Sequence, residues 1–283
     1  MVERITTEII KLQKEIYKLL AERRLKDAFG KLAILVGELQ DWLSRDKLNE
    51  MEMSYKYMIQ YMLDGVEDPE RKRIYDHLVL SAYTLTDRVS DRLEASVSPS
   101  QYYGWKRYAV ASRAGIGLSS QFDMCDHAFG DLSLASLLSE QEQDTAKIQS
   151  LRHRVEEAAG TLFMDIWTNY PAEEADCDTL REALFSHRFS DTFVSLLLSA
   201  LLLNLLHRFD EQKLLLLLDG YRHTSPEIQL RSLCGALIVL YVYRERLPLL
   251  KNLQSRIDAL SEEPKFKADV RTIFLQFIKT QDT

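Results

Sequence analysis

The chain has 283 residues, a formal net charge of −7, and only 10 Gly and 6 Pro. Scarcity of both turn-forming residues favours long helices over β-hairpins, and the length allows one large or two small domains. The acidic balance disfavours nucleic acid as a partner, because phosphate binding needs a concentrated basic face. We therefore expect an all-α protein that does not bind nucleic acid.

The cysteines and the apolar spans indicate where the protein resides. Cys125, Cys177 and Cys234 are dispersed and have no CxxC spacing, which suits a reducing compartment. The first residues lack a basic region followed by an apolar run, so they do not predict a secretory signal. The most apolar span, residues 193–206, is shorter than the ~20 apolar residues that cross a membrane. These features predict a cytoplasmic protein without membrane contact.

Four helices are predicted in the first third of the chain. Apolar residues recur at spacings of three and four over residues 3–20, which is the pattern of one helix face. A second stripe runs from Leu25 to Leu43 after a short polar corner, so these two helices should lie antiparallel. Further stripes predict helices over residues 47–64 and 69–94, the last one with Pro69 in its first turn.

The middle of the chain is acidic. After a linker at residues 96–100, we expect a helix over residues 101–114, a looser region containing Gly115, Gly117 and Gly130, and helices over residues 132–140 and 144–169. A second seam is predicted at residues 172–176. Residues 120–186 carry 4 basic and 14 acidic side chains. Such a block is usually a solvated helix face, although it also permits a basic partner.

Leucine dominates the last third, with 17 of the 50 residues from Leu201 to Leu250. Short helical blocks are predicted over residues 178–187, 190–207, 210–221, 226–244, 246–260 and 264–280. The starts near residues 190, 226 and 264 have the period of two-helix solenoid repeats. We therefore divide the chain into helical pairs at residues 1–95, a central acidic helical region at 96–175, and helical repeats rich in leucine at 176–283.

Two segments resemble known helical repeats. Ala21–Leu32 resembles the turn and second helix of a tetratricopeptide repeat, in which a small residue, here Ala28, packs on the preceding helix and a larger one, here Leu32, follows. Pro226–Leu237 looks more like a HEAT-type helix. The whole chain resembles the uncharacterised helical-repeat proteins common in Bacteroidetes. This resemblance implies a right-handed α-solenoid of antiparallel helix pairs that serves as a docking surface and carries no conserved chemistry.

Candidate catalytic and metal-binding groups are sparse. Asp123, Cys125, Asp126 and His127 bring together metal-competent side chains, but a zinc site needs three or four converging ligands, typically with a second distant pair. No such pair is found elsewhere in the sequence, and the histidines have no triad-like spacing to Ser, Cys or Asp. We therefore expect no metal, no cofactor and no enzyme activity.

The sharpest local feature is the aromatic segment from Tyr102 to Tyr108. Interfaces favour Tyr, Trp and Arg, because each offers a large contact area with a polar end. This makes the partner-binding candidates Tyr102, Tyr103, Trp105 and Arg107. In the alternative interpretation, Tyr102, Trp105 and Tyr108 face the helix core and the cations are solvated.

Taken together, these patterns predict a non-catalytic scaffold that binds a protein or peptide. The alternative is an enzyme of unknown reaction with its site in the central acidic region. A third interpretation is that the chain supports a catalytic or sensory module elsewhere in a longer protein. Self-association into a homo-oligomer is left open.

Overall fold

The computed structural model describes residues 2–112, 116–138, 145–186 and 188–281. Within these ranges the chain forms thirteen α-helices and one 3-10 turn, without any strand. The prediction of an all-α protein is therefore confirmed. Gly115 and the predicted boundary at residues 140–144 lie outside the described residues. None of the described helices has the length and apolar character that crossing a bilayer requires.

The chain divides into two compact units, Met1–Gly104 with Arg244–Lys251, and Trp105–Tyr243 with Asn252–Thr283. The helices of the first unit are α1 (Val2–Ala21), α2 (Leu25–Leu39), α3 (Trp42–Leu63) and α4 (Arg71–Val97), and α5 (Gln101–Ser112) contributes residues to both units. The helices of the second unit are α6 (Leu118–Leu138), α7 (Thr145–Thr168), α8 (Glu174–Phe185), α9 (Asp191–His207), α10 (Glu211–Gly220), α11 (Pro226–Val242), α12 (Lys251–Ser261) and α13 (Pro264–Gln281). The predicted boundaries after residues 95 and 175 stay predictions.

In the first unit, the long helix α4 contacts each of the three helices before it, and α1 and α2 also contact each other. Apolar residues at spacings of three and four face inward, including Ile16, Leu32 and Val89, which are fully buried. The 3-10 turn Leu247–Leu249 contacts α4, and Leu249 joins this core. A segment from near the end of the chain therefore completes the core of its first helices.

The corner between α2 and α3 lies earlier than predicted. Gln40 takes a left-handed backbone conformation with φ of 52°, and its N–H donates to the carbonyl of Gly37, which ends α2. Asp41 then caps α3, because its carboxylate accepts hydrogen bonds from the backbone N–H and hydroxyl of Ser44. Leu43 thus belongs to α3, not to the second helix, because this cap begins a new helix in front of it.

The second unit is organised around α9, which contacts α7, α8, α10 and α11. A helix with neighbours on several sides needs apolar residues around most of its circumference. Leu197, Leu201 and Leu205 of α9 are all fully buried. Ser190 caps α9 and Asp210 caps α10 through their side chains, as their positions before the apolar blocks predict.

Helix α6 corrects the prediction of a looser region before residue 132. It runs without interruption from Leu118 to Leu138 and passes through Gly130. Leu118, Phe122 and Cys125 are buried at helical spacing, and their burial outweighs the ~1 kcal/mol that a helical glycine costs relative to alanine. Gly130 was therefore a weaker signal than the stripe that surrounds it.

A second glycine allows α10 and α11 to approach closely. A Cβ atom at Gly220 would lie 2.0 Å from Ser232 Oγ, which is far inside van der Waals contact. The Ser232 hydroxyl is buried and donates to the carbonyl of Leu217 at 2.6 Å. At this point the backbone of Gly220 in α10 therefore packs directly against the hydroxyl of Ser232 in α11.

Candidate functional site

The first half of the aromatic segment is structural. Tyr102 and Tyr103 are buried, and their rings meet edge to face with centroids 4.9 Å apart. The Tyr103 hydroxyl donates to Asp91 Oδ1 at 3.2 Å, so a buried carboxylate of α4 holds it. Tyr102 and Tyr103 are therefore buried in this structure, and partner contact by them stays a prediction.

The second half of the segment lies closer to the surface. The Trp105 indole N–H donates to Asp165 Oδ1 at 3.1 Å, and Trp105 is only partly buried. Lys106 Nζ donates to the carbonyl of Tyr170 at 2.6 Å. Arg107 and Tyr108 are exposed. The core-facing pair is thus Tyr102 and Tyr103, and partner contact by Trp105 and Arg107 stays a prediction.

The residues considered for a metal lie on α6, and its two aspartates are engaged in ion pairs. Arg188 donates to Asp123 and Asp126, each at 2.8 Å, so one guanidinium serves both carboxylates. Burial raises the pKa of the Cys125 thiol to about 11, so this thiol is protonated at neutral pH. Among the described residues, no three His, Cys, Asp or Glu side chains are grouped as ligands of an ion.

The first unit contains a buried ion pair that sequence reasoning missed. The Arg246 guanidinium donates to both carboxylate oxygens of Asp87, at 2.5 and 3.1 Å, and both side chains are almost fully buried. The guanidinium also lies 4.8 Å from the ring centroid of Tyr17 and 4.5 Å from that of Tyr83, within cation–π range. The Tyr17 hydroxyl donates to Asp87 as well. Arg246 is therefore held on several sides.

The second unit contains a buried lysine. Lys213 is fully buried, and its Nζ donates to the carbonyl of Asn169 and, at 2.9 Å, to Asn204 Oδ1. Asn204 Nδ2 in turn donates to the carbonyls of Trp167 and Asn169, at 2.8 and 2.9 Å. These carbonyls lie at the end of α7 and just beyond it, where helices leave acceptors unsatisfied. The cluster closes that helix end.

Burial also controls the titration of this region. It lowers the pKa of Lys213 from 10.5 to about 8, because the charged ammonium loses its hydration. It lowers the pKa of His207 to about 3, with Arg208 and Lys106 adding repulsion. Burial raises the pKa of the Cys177 thiol to about 11. The Cys177 thiol is therefore protonated at neutral pH, and the Lys213 amine is buried and hydrogen-bonded to Asn169 and Asn204.

Both buried clusters therefore stabilise the fold of the unit to which they belong. Each places its polar atoms in hydrogen bonds within its own unit, and neither offers an accessible reacting group. Sequence reasoning missed them because Asp87 and Arg246 are separated by 159 residues, and Lys213 and Asn169 by 44. The one signal was compositional, since Lys213 precedes a run of five leucines, four of which are buried.

The clearest candidate for a functional surface is α3. One side of this helix carries Leu48, Met51 and Met58, which are buried against the rest of the unit. The other side is exposed yet also carries large apolar residues. We call this set the α3 stripe: Trp42, Leu43, Met53, Tyr57 and Tyr61. Trp42 is 75% exposed and Leu43 60%, and Met53, Tyr57 and Tyr61 are exposed by 47%, 50% and 56%.

The α3 stripe lies on one side of the helix in two groups, because the exposed side chains of Asp46 and Glu50 occupy that side between Leu43 and Met53. Successive residues of an α-helix are rotated by about 100°, which places all five stripe residues within an arc of about 100°. Met53, Tyr57 and Tyr61 are spaced by four and form neighbouring turns of one face. Contiguous exposed apolar groups of this kind mark interaction sites, whereas scattered single residues do not.

No protein-family model, curated protein or solved structure matches this chain in the comparisons. The likeness to tetratricopeptide and HEAT repeats therefore rests on the two segments quoted above. Ala28 and Leu32, the residues that carry the first of these, are both buried between helices of the first unit.

Proposed function

We propose that this protein is a non-catalytic, helical docking scaffold that binds a protein or peptide through the α3 stripe. The observation that carries the proposal is the apolar face of α3 that points to solvent. Burying a Trp, a Met and two Tyr side chains of this kind would contribute roughly 1.5–3 kcal/mol for each large side chain before the costs of association. Tyr and Trp are also the residues in which binding energy is concentrated at interfaces.

The helical architecture supports the same proposal. Repeat proteins stack helices so that each helix buries its face on its neighbours and leaves an extended surface for partners. The successive contacts of α7 with α9 and of α9 with α11 are compatible with such stacking. A right-handed solenoid of tetratricopeptide-like and HEAT-like pairs is therefore our proposed arrangement, with localisation in the cytoplasm.

The acidic region favours a scaffold over an enzyme. Carboxylates that act as acids or bases are usually held close to a reacting group in a cleft. Here Asp123 and Asp126 pair with Arg188, and Asp131 pairs with Arg154 at the surface. Ion pairing of surface carboxylates in this way is the behaviour of a solvated helix face.

Photo-crosslinking tests the proposal directly. Benzoylphenylalanine replaces Tyr57 in the full chain, which is then irradiated in cell extract, and a crosslinked protein is identified and purified. We expect this protein to bind the unmodified chain in a reconstituted mixture, and to bind a Tyr57→Ser/Tyr61→Ser variant at least about tenfold more weakly.

A matched control distinguishes binding through the α3 stripe from nonspecific binding by any exposed apolar residue. Ile34 on α2 is also an exposed apolar residue, at 54% exposure, and it is not part of the stripe. An Ile34→Ser variant should bind like the wild type. If the stripe variant keeps full affinity while its helical circular dichroism is unchanged, the proposed surface is wrong.

A further inference from the structure

The last helix, α13, has an apolar face that its own unit covers only in part. Phe266 and Ile273 are buried, with exposures of 6% and 8%. Phe277 continues this face, and Phe274 and Ile278 lie on the adjoining side of the helix; the three are exposed by 42%, 51% and 57%. The last two turns of α13 therefore extend an amphipathic stripe past the surface that buries its beginning.

The charge on α13 is mainly positive. Its basic residues are Lys265, Lys267, Arg271 and Lys279, and its one acidic residue is Asp269. Asp269 accepts a hydrogen bond from the Tyr221 hydroxyl at 2.8 Å, so it is held against the unit. Lys267 and Arg271 are exposed. Lys267 lies two turns before Phe274, and Arg271 lies two turns before Ile278, on the same side of the helix. An apolar strip with a basic edge results.

We infer that the exposed end of α13 binds an amphipathic helix whose flanks carry Asp or Glu. Charge complementarity selects this occupant, because acidic side chains beside an apolar stripe would meet Lys267 and Arg271. A second copy of the chain is disfavoured, since antiparallel pairing of α13 with itself brings like-charged edges together. This inference rests on the proposed scaffold function and adds a second site with a defined partner chemistry.

Two synthetic peptides test it with the full chain. Both are helical with the same Leu and Ile face, and they differ only in carrying Glu or Lys on the flanks. We expect the Glu peptide to bind at least about tenfold more tightly, and its affinity to fall as salt rises. Phe277→Ser should weaken this binding by about tenfold or more, and Arg271→Glu should abolish the preference for the Glu peptide, because the new carboxylate offsets the charge of Lys267.

Each competing occupant gives a different result. Equal affinity for both peptides would overturn the inference. So would tighter binding to vesicles of phosphatidylcholine and phosphatidylglycerol than to the Glu peptide. Dimerisation that Phe277→Ser abolishes, measured by sedimentation equilibrium, would identify a second copy as the occupant and overturn it as well.

The α3 site provides the control for independence. A Tyr57→Ser/Tyr61→Ser variant should bind the Glu peptide as the wild type does, because its changes lie on another helix. Failure of the peptide experiment together with a positive crosslink at residue 57 would remove only the α13 site. Peptide binding without a functional α3 stripe would remove only the proposed surface on α3.

Discussion

Arg246 and Asp87 form a bidentate ion pair inside the first unit, although 159 residues separate them in the sequence. The pair ties the segment Arg244–Lys251 to α4, which belongs to the same compact unit. Tyr17 and Tyr83 cover the guanidinium with their rings. Burial raises the pKa of Tyr83 to about 12, so the ring remains neutral and suited to a cation at physiological pH.

Removing one partner of this pair should destabilise the protein strongly. Asp87→Ala leaves a buried guanidinium without its counter-ion, and the expected loss is about 3–5 kcal/mol in the free energy of unfolding. Urea denaturation followed by circular dichroism measures this loss. The double variant Asp87→Leu/Arg246→Met should lose less than Asp87→Ala alone, because no uncompensated charge remains. If the loss in the double variant equals the sum of the losses measured for Asp87→Leu and Arg246→Met separately, the two residues act independently.

Gly220 and Gly235 form a matched pair for the packing of α10 and α11. A Cβ at Gly220 meets Ser232 Oγ at 2.0 Å, whereas a Cβ at Gly235 would have its nearest neighbours at 3.7 Å. Gly220→Ala should cost about 2–4 kcal/mol, because Ser232 must move and weaken its bond to Leu217. Gly235→Ala should be neutral or stabilise by up to about 1 kcal/mol, since alanine favours helix. Thermal unfolding of both variants checks this contrast.

A second change tests the cause of the Gly220 effect. Ser232→Ala removes the clashing hydroxyl, but the Ser232 Cβ itself would lie 3.0 Å from the new methyl group at residue 220. The Gly220→Ala/Ser232→Ala double variant should therefore recover part of the lost stability. Equal stability of Gly220→Ala and the wild type would show that the helices can shift apart at little cost.

Because of Lys213, the free energy of unfolding should increase as the pH rises in the mildly alkaline range. Its pKa is about 8 in the folded protein and 10.5 when solvated, so the unfolded chain binds more protons between these values. Stability from this group therefore increases as pH rises through that window, by at most about 1.4 kcal/mol per pH unit. The measurement is the difference in urea stability between wild type and Lys213→Met from pH 7.5 to 9.

The variant itself supplies the control in this experiment. Cys177 and Tyr83 have raised pKa values, and such groups reduce stability as pH rises further. The effect of Tyr83 is present in both proteins and cancels in the difference, and both proteins carry Cys177→Ala because Cys177 is electrostatically coupled to Lys213. Parallel stability curves for wild type and Lys213→Met would contradict the account of a lysine whose charge burial penalises.

His207 should affect the free energy of unfolding at acidic pH. Burial lowers its pKa to about 3, so below its ordinary value of 6.5 the unfolded chain takes up a proton that the folded protein excludes. Wild-type stability should fall between pH 6.5 and 5 more steeply than that of His207→Gln, by up to about 1.4 kcal/mol per pH unit. Identical slopes would mean that His207 is solvated enough to protonate in place.

The sequence predicted the helices better than it predicted the surfaces. Apolar spacing and caps such as Ser190 and Asp210 are local signals, and the all-α class was predictable from them. The continuous helix through Gly130 was missed because glycine was weighted above the stripe around it. The buried partners Asp87 and Arg246 were missed because tertiary contacts between distant residues leave no trace in local periodicity.

The candidate surface was harder to predict than the fold. Tyr102 and Tyr103 have the composition of an interface, but their rings and the bond from Tyr103 to Asp91 lie inside the protein. Helix α3 shows the opposite case, since the spacing of Met51, Tyr55 and Met58 predicts its core face but not the second apolar face. Only solvent exposure distinguishes the two faces, and exposure depends on which helices pack nearby.

The most direct test of the scaffold proposal is the affinity of a partner recovered by crosslinking at residue 57. Isothermal titration calorimetry would compare wild type, Tyr57→Ser and Ile34→Ser under one set of conditions. Tyr57→Ser should weaken binding by at least about tenfold with unfolding stability unchanged, and Ile34→Ser should not weaken it. Equal affinity of the wild type and Tyr57→Ser would contradict docking through the α3 stripe.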